Sequence, residues 1–369
     1  MSVGIIGAGN VLFAYLQVLD RLAPRGQARL GLVCARRREN WPGLLARRPY
    51  LHLVQTAREV VESDAGVVVI LTPPESHEEL TALALEHGKH VLVEKPIAAT
   101  HAEAESLSRL AVARGVHLLT APFVQMAPTF RALWGEIQQG AIGSVHSARG
   151  LYGNAGSTWA RWYHDGSIGP LAEVGIYNLK SLTALLGPVV EIHASSTTAI
   201  PRRIMEGGAE ITNPGHDVSH VIARHENGAL SSIVSSHAIQ RYRRPGLELY
   251  GTEGTANLLG DDWDPRGFEI WRNQAGSWEE HEPIEPTWLW ADGLSELVSA
   301  LREHRPPLAE ISHDVHLIEV LEAAERSAKE RSWVPVHSRF GPLDLKPEAV
   351  TGQQDVHHLH DHTRPVEDQ

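Results

Sequence analysis

Four short stretches of this chain place chemically capable residues where isolated side chains of their type are seldom found. In "VLVEKPIAAT" an apolar run, Val91 to Val93, is followed without a spacer by Glu94, Lys95 and Pro96. Charged residues are rarely buried without partners, and proline cannot continue a central strand because it lacks the ladder donor. The pair therefore belongs at a strand end. As a surface ion pair it would be worth little; over a ligand crevice it is an acid–base apparatus. In "GPLAEVGIYNLKSLTALLG" (169–187), Glu173 and Tyr177 are four apart, hence on one face of a helix, with Lys180 three further on. An unperturbed phenol titrates near ~10, and a neighbouring cation would bring it closer to working pH. "GAGNVL" (7–12) offers Gly7 for a tight turn and Gly9 for backbone approach to a pyrophosphate, with Asn10 and Val11 opening the helix; Leu12 replaces the third glycine of the fingerprint. "LTPPESH" (71–77) makes a rigid wall from Thr72, Pro73, Pro74 and His77, with Ser76 as the expected cap of the next helix.

These residues need a scaffold that brings strand ends together. "SVGIIG" (2–7), "ARLGLVCA" (28–35), "AGVVVILT" (65–72), "HVLVEK" (90–95) and "VHLLTA" (116–121) are apolar runs. Between them lie helical patterns over 10–22, 76–88 and 101–115, the last two ending at glycine. Continuous apolar strands alternating with helices predict a parallel sheet covered on both faces. In such sheets ligands bind outside the carboxyl ends of the strands. Downstream, "VSHVIARHENGALSSIVSSHA" (218–238) predicts a hairpin turning at Glu226–Gly228. His216 and Asp217 enter it in a structural role. The fold class is α/β: an N-terminal doubly wound parallel sheet, then an α+β unit with an open, mostly antiparallel sheet. The expected division is 1–123, 124–342 and a mobile tail 343–369.

Composition narrows the possibilities. The net charge of −12 argues against nucleic acid or anionic membrane as partner. The single cysteine, Cys34, excludes an intramolecular disulfide or a cysteine-based zinc site. No apolar run approaches 18 residues and no signal peptide precedes the first strand, so a cytoplasmic location is expected. His357, His358, His360 and His362 crowd the tail, but no ligand geometry accompanies them and no metal site is expected.

"VGIIGAGN", "TPPESHEEL" and above all "GKHVLVEKP" resemble the glucose–fructose oxidoreductase/inositol dehydrogenase (Gfo/Idh/MocA) family. "IQQGAIGSV" (137–145), "GTEGTANL" (251–258) and "HLIEVLEAAERSA" (316–328) resemble its second-domain segments more loosely. The resemblance implies an NAD(P)-binding Rossmann domain followed by a sheet that supplies the substrate pocket and an oligomer interface. It also implies that Lys95 binds the reacting oxygen. There a preorganised ammonium steadies a developing alkoxide and relays its proton, with Glu94 orienting Lys95 or contacting the cofactor. A locked cis peptide between Lys95 and Pro96 is expected on the same ground. The family's usual Asp-x-Gly-x-His-x-x-Asp pattern is matched only at Gly175: Glu173, Tyr177 and Lys180 replace the other three. A tyrosine at the histidine position resembles the sugar-oxidoreductase and dihydrodiol-dehydrogenase branches.

The catalytic pair is accordingly Lys95 and Tyr177. The cofactor residues are Gly7, Gly9, Asn10, Val11, Ala35, Arg36, Arg37, Thr72, Pro73, Pro74, His77, Glu94 and Lys95. The substrate, a sugar, polyol or related small molecule, is expected to meet Trp159, Trp162, Tyr163, His164, Glu173 and Tyr177 besides Lys95. At the end of the second strand, where NAD enzymes place an acid for the ribose 2′-hydroxyl, this chain has Ala35 followed by Arg36, Arg37 and Arg38. A guanidinium pairs bidentately with a 2′-phosphate, so NADP is preferred over NAD, with Arg38 read as a helix start. Self-assembly into a homodimer or homotetramer through the C-terminal sheet is expected. Two other readings compete: a non-catalytic dinucleotide-binding sensor or regulator of the same fold, and a redox-assisted glycosidase.

Overall fold

The computed structural model describes residues 1–369 except 160, 165, 167, 244–245, 262, 348–353 and 356–369, and the backbone alone of residues 162, 354 and 355. The histidine-rich stretch of the tail therefore lies outside the described residues. The first third alternates strand and helix: β1 (Ser2–Ile6), α1 (Leu12–Leu22), β2 (Arg29–Cys34), α2 (Trp41–Arg47), β3 (His52–Val54), α3 (Ala57–Val61), β4 (Val67–Ile70), α4 (His77–Glu86), β5 (His90–Val93), α5 (His101–Arg114) and β6 (Leu118–Thr120). The strands form one parallel sheet in the order β3-β2-β1-β4-β5-β6. Every residue of β1 and β4 is buried, as two covered faces demand. The order reverses between β1 and β4, and the crevice of a doubly wound sheet opens at that reversal.

Three elements, α2, β3 and α3, were not among the expected ones. They are short, and α2 buries no residue, so no apolar period marks it. A legible cue did exist for α3, whose Thr56 and Glu59 form a capping box. Ser76 departs from expectation in another way. Its hydroxyl caps nothing; it donates to Thr72 Oγ1 (2.8 Å) and the Pro73 carbonyl (2.9 Å), so it stiffens the Pro-Pro turn instead.

The remainder contains α6 (Pro128–Gln138), β7 (Val145–Gly153), α7 (Ile176–Leu186), β8 (Val189–Thr197), β9 (Arg202–Ile204), β10 (Glu210–Thr212), β11 (Val218–His225), β12 (Leu230–Ser236), β13 (Leu247–Gly251), β14 (Gly254–Asp261), β15 (Asp264–Arg272), β16 (Ser277–His281), α8 (Gly293–Arg302), α9 (Ile311–Glu330), β17 (Val334–Pro335) and β18 (Gln354–Asp355). Ten of these strands form a second sheet, β17-β8-β11-β12-β7-β13-β14-β15-β16-β18, in which β12–β7 is the parallel pair and the other described pairs are antiparallel. The hairpin at Glu226–Gly228 is present as β11–β12. One face of the sheet packs Ile192, Ala194, Val221, Ala223 and Ile233 against Leu179, Leu182 and Leu186 of α7 and Leu317, Val320 and Ala324 of α9. The chain then returns: Ala291, Leu294, Leu297 and Val298 pack beside Leu12, Tyr15, Leu16 and Leu19 of α1, completing a core of the first sheet. No helix among the described residues is long and apolar enough to cross a membrane.

Candidate active site

A cavity of about 1100 Å³ opens over the carboxyl ends of β1, β2, β4 and β5. Every residue expected to meet a cofactor lines it: Gly7, Gly9, Asn10 and Val11 from the β1–α1 turn, Ala35, Arg36 and Arg37 after β2, Thr72, Pro73, Pro74 and His77 after β4, and Glu94 and Lys95 after β5. The turn is built for close approach. Gly7 has φ +111°, and a Cβ there would stand 2.7 Å from the Leu71 carbonyl group, so no other residue fits. A Cβ on Gly9 would meet no protein atom within 4 Å and would project into open space that a pyrophosphate can use. The turn leads into α1, whose Leu12 and Ala14 N–H groups donate to the Gly9 and Val11 carbonyls (3.2 Å each), and whose N-terminal end carries the positive pole of the helix dipole, which favours an anion. These residues fit a dinucleotide. The Arg36 and Arg37 side chains are exposed, and neither makes an ion pair among the described residues. Arg38 is spoken for: it donates to Gln55 Oε1 (3.0 Å) and lies over the Trp41 ring. His77 pins the two loops that flank the crevice, its Nδ1 lying 2.7 Å from the Pro96 carbonyl oxygen and its Nε2 2.8 Å from that of Thr72.

Lys95 follows β5 with a cis peptide to Pro96. Its ammonium donates to the Glu173 carboxylate (2.6 Å) and to the Glu173 carbonyl oxygen (2.7 Å), and it faces the Tyr177 ring at 5.7 Å from the centroid. The Lys95 side chain is 9% exposed and that of Glu173 13%, so the pair is only slightly screened by water. Glu94 does not orient the ammonium. Its Oε1 accepts the Tyr15 hydroxyl (2.7 Å) and its Oε2 accepts the Lys95 backbone N–H (3.3 Å). Burial, then the adjacent Glu94 charge, pushes the Tyr15 phenol well above its ordinary range, so it stays a donor.

Opposite this strand end, the second sheet and its loops supply Tyr152, Ser157, Trp159, Tyr163, Glu173, Tyr177 and Trp263, with Trp290 from the returning segment. Glu173 and Tyr177 line the cavity together, though not as an i, i+4 pair of one α-helix. Leu171–Gly175 is a π-helical turn, and α7 begins after it. Such turns recur at functional sites. Tyr152 and Tyr177 meet edge to face, centroids 5.6 Å apart. Burial raises the Tyr152 and Tyr163 phenols, and Glu173 raises Tyr163 further.

Other expected residues fall elsewhere. His164 is buried behind Tyr163, its Nε2 2.7 Å from the Ser157 carbonyl oxygen, and does not line the cavity. The Trp162 side chain lies outside the description. Lys180 points into the core, wholly buried, and pairs with Asp314 of α9. Burial depresses the lysine and raises the aspartate to about 6. Its spacing from Tyr177 and its place in the family pattern put Lys180 beside the site, but α7 is buried nearly all round and carries it into the core instead. Asp217 is structural as expected, accepting from Arg203 (2.9 Å) and from the Ala199 and Ile200 N–H groups. Tyr15, Tyr152, Trp263 and Trp290 were missed. Trp290 meets the Tyr15 ring edge to face at 5.8 Å, a contact between residues 275 positions apart that no local pattern announces.

Comparison with known proteins agrees with this geometry. Residues 1–121 match the model of an oxidoreductase family with an NAD-binding Rossmann fold, and residues 130–257 that of the GFO/IDH/MocA C-terminal domain. The chain is 26% identical to levoglucosan dehydrogenase of Pseudarthrobacter phenanthrenivorans over 54% of its own length and 56% of that protein. It is 27% identical to 1,5-anhydro-D-fructose reductase of Ensifer adhaerens over 69% of its length and 75% of the relative. Among solved structures, levoglucosan dehydrogenase in complex with NADH superposes with a TM-score of 0.80 at 21% identity, covering 92% of this chain and 99% of that one, which is a likeness of fold. With both family models matched in chain order and a glycine-rich turn and Glu-Lys-Pro strand end sharing one cavity, this chain belongs to the Gfo/Idh/MocA oxidoreductase family.

Proposed function

We propose that the protein is an NAD(P)-dependent dehydrogenase or reductase acting on a hydroxyl or carbonyl group of a sugar, polyol or related small molecule. One observation carries the reading: the Lys95 ammonium, held by Glu173 and facing Tyr177, shares a cavity with the glycine turn. A bound nicotinamide supplies hydride exchange with the substrate carbon. The chain supplies the rest. Lys95 has three N–H donors and uses two on Glu173, leaving one for the reacting oxygen. As the hydroxyl proton leaves, negative charge gathers on that oxygen and the ammonium steadies it, and the same charge drives the carbon-bound hydrogen off with its electron pair. Tyr177, as the phenolate that the adjacent ammonium favours, takes that proton and becomes the phenol, and in reduction the phenol returns it. Tyr152, Trp159, Trp263 and Trp290 give the ring faces against which the C–H surface of a sugar packs.

In this reading Arg36 and Arg37 bind a 2′-phosphate and NADP is the preferred cofactor. Residues 1–123 hold the cofactor, 124–342 shape the substrate pocket, and copies assemble through the second sheet, whose outer face exposes Ile222 and Leu230. The test is a panel of sugars and polyols followed at the nicotinamide absorbance band with NADP and NAD. Turnover that ranks the panel supports the reading; binding of cofactor with no turnover of any member favours a sensor and overturns it.

A further inference from the structure

Glu94 and Glu173 both line the cavity that holds the Lys95 ammonium, yet the ammonium is paired with Glu173, the carboxylate 78 positions away, and not with its neighbour in the chain. Glu94 is held at both oxygens. Its Oε1 accepts the Tyr15 hydroxyl at 2.7 Å, and its Oε2 accepts the Lys95 backbone N–H at 3.3 Å. The second bond is long, so the first is the stronger restraint. A hydroxyl donating to a carboxylate at that distance also belongs to the strong, charge-assisted class. Tyr15 is well placed to hold it. The side chain is wholly buried in α1, in the apolar cluster of Leu12, Leu16 and Leu294, and its ring meets Trp290 edge to face with centroids 5.8 Å apart. Burial keeps the phenol in its donor form. A carboxylate one residue from an ammonium, in a site only slightly screened by water, draws that ammonium to itself unless something holds it away. Glu94 set loose would compete with Glu173 and take up the N–H that serves the reacting oxygen.

We infer that Tyr15 is a positioning residue: its hydroxyl holds the Glu94 carboxylate off the Lys95 ammonium, so that the ammonium stays on Glu173 with one N–H free for substrate. The inference rests on the oxidoreductase reading for its effect on turnover. It extends that reading to a residue that sits beneath the cavity and does not line it.

The test uses the full-length chain and three variants: Tyr15→Phe, Glu94→Gln and the double substitution. Phenylalanine keeps the ring against Trp290 and removes the hydroxyl alone. With the best substrate of the panel, Tyr15→Phe is expected to lower kcat about tenfold with KM within about threefold, the mark of a displaced catalytic group and not of lost binding. Removing the same hydroxyl from Glu94→Gln should change kcat by no more than about twofold, because an amide carries no charge to compete for the ammonium. A readout independent of turnover comes from lysine labelled with ¹⁵N. The chain has five lysines, and the Lys95 Nζ resonance is assigned by its loss in Lys95→Ala. It should shift in Tyr15→Phe and, in the double variant, keep the position it has in Glu94→Gln. A raised KM with unchanged kcat makes Tyr15 a support for Trp290 and overturns the inference. So does an unmoved Lys95 resonance, or an equal loss of kcat in both backgrounds. If the resonance moves as expected but the wild type turns over no member of the panel, the oxidoreductase reading fails and the restraint on Glu94 stands.

Discussion

Replacing Lys95 by alanine tests the centre of the argument, and the structure sets the size of the effect. The ammonium has three donors and two are used on Glu173, at 2.7 and 2.6 Å, so a single N–H serves the reacting oxygen. Removing one such donor from a water-poor site costs about 2.7–4 kcal/mol, or 10²–10³ in kcat. Alanine does a second harm. It leaves the Glu173 carboxylate, 13% exposed, without its cation beside an oxygen that becomes negative in the transition state. The combined loss is expected to exceed ~10³. Cofactor affinity, followed by nicotinamide fluorescence, should stay within several-fold because the glycine turn and the Pro-Pro wall are untouched. The two harms separate in the double variant Lys95→Ala/Glu173→Gln, which removes the stranded charge and should regain about tenfold over Lys95→Ala. Stopped-flow and steady-state absorbance at the nicotinamide band measure both. A kcat for Lys95→Ala within tenfold of wild type refutes the role of Lys95. A double variant no better than the single refutes the electrostatic part alone.

Other expectations follow from named contacts. Tyr177→Phe keeps the ring against Tyr152 but loses the proton carrier, and kcat should fall by about 10²–10⁴, the range for a general acid–base group; a loss under threefold would refute that role. Arg36→Ala with Arg37→Ala should cut kcat/KM for NADP at least tenfold and leave NAD within about twofold, whereas a wild type tenfold better with NAD contradicts the phosphate assignment. Lys180→Ala strands the buried Asp314 carboxylate and should cost roughly 3–5 kcal/mol, a fall in Tm on the order of 5–10 °C. The paired change Lys180→Met/Asp314→Leu should be near neutral by thermal denaturation, since it removes both charges together.

How much of this was legible before folding depends on whether the signal is local. Strand ends and turns are local: Gly7 must be glycine because its backbone turns at positive φ against Leu71. Glu94-Lys95-Pro96 must end a strand because two charges and a missing donor cannot continue one. From these the parallel sheet, its crevice, the residues that line it and the first catalytic candidate follow from one stretch of chain at a time. What Lys95 touches is not local. Its partner Glu173 lies 78 positions away, Glu94 is claimed by Tyr15 79 positions back, and Trp290 reaches the cavity only because its segment packs onto α1. Lys180 shows the converse. By spacing it belonged with Tyr177, but α7 is covered on nearly all sides, so the same helix sends Tyr177 to the cavity and Lys180 to Asp314 in the core. Residue types and turns determine which groups can do chemistry; which of them meet, and which are silenced by a buried partner, is decided when distant segments pack, because hydrogen bonds and ion pairs act over a few ångströms in space and take no account of separation along the chain.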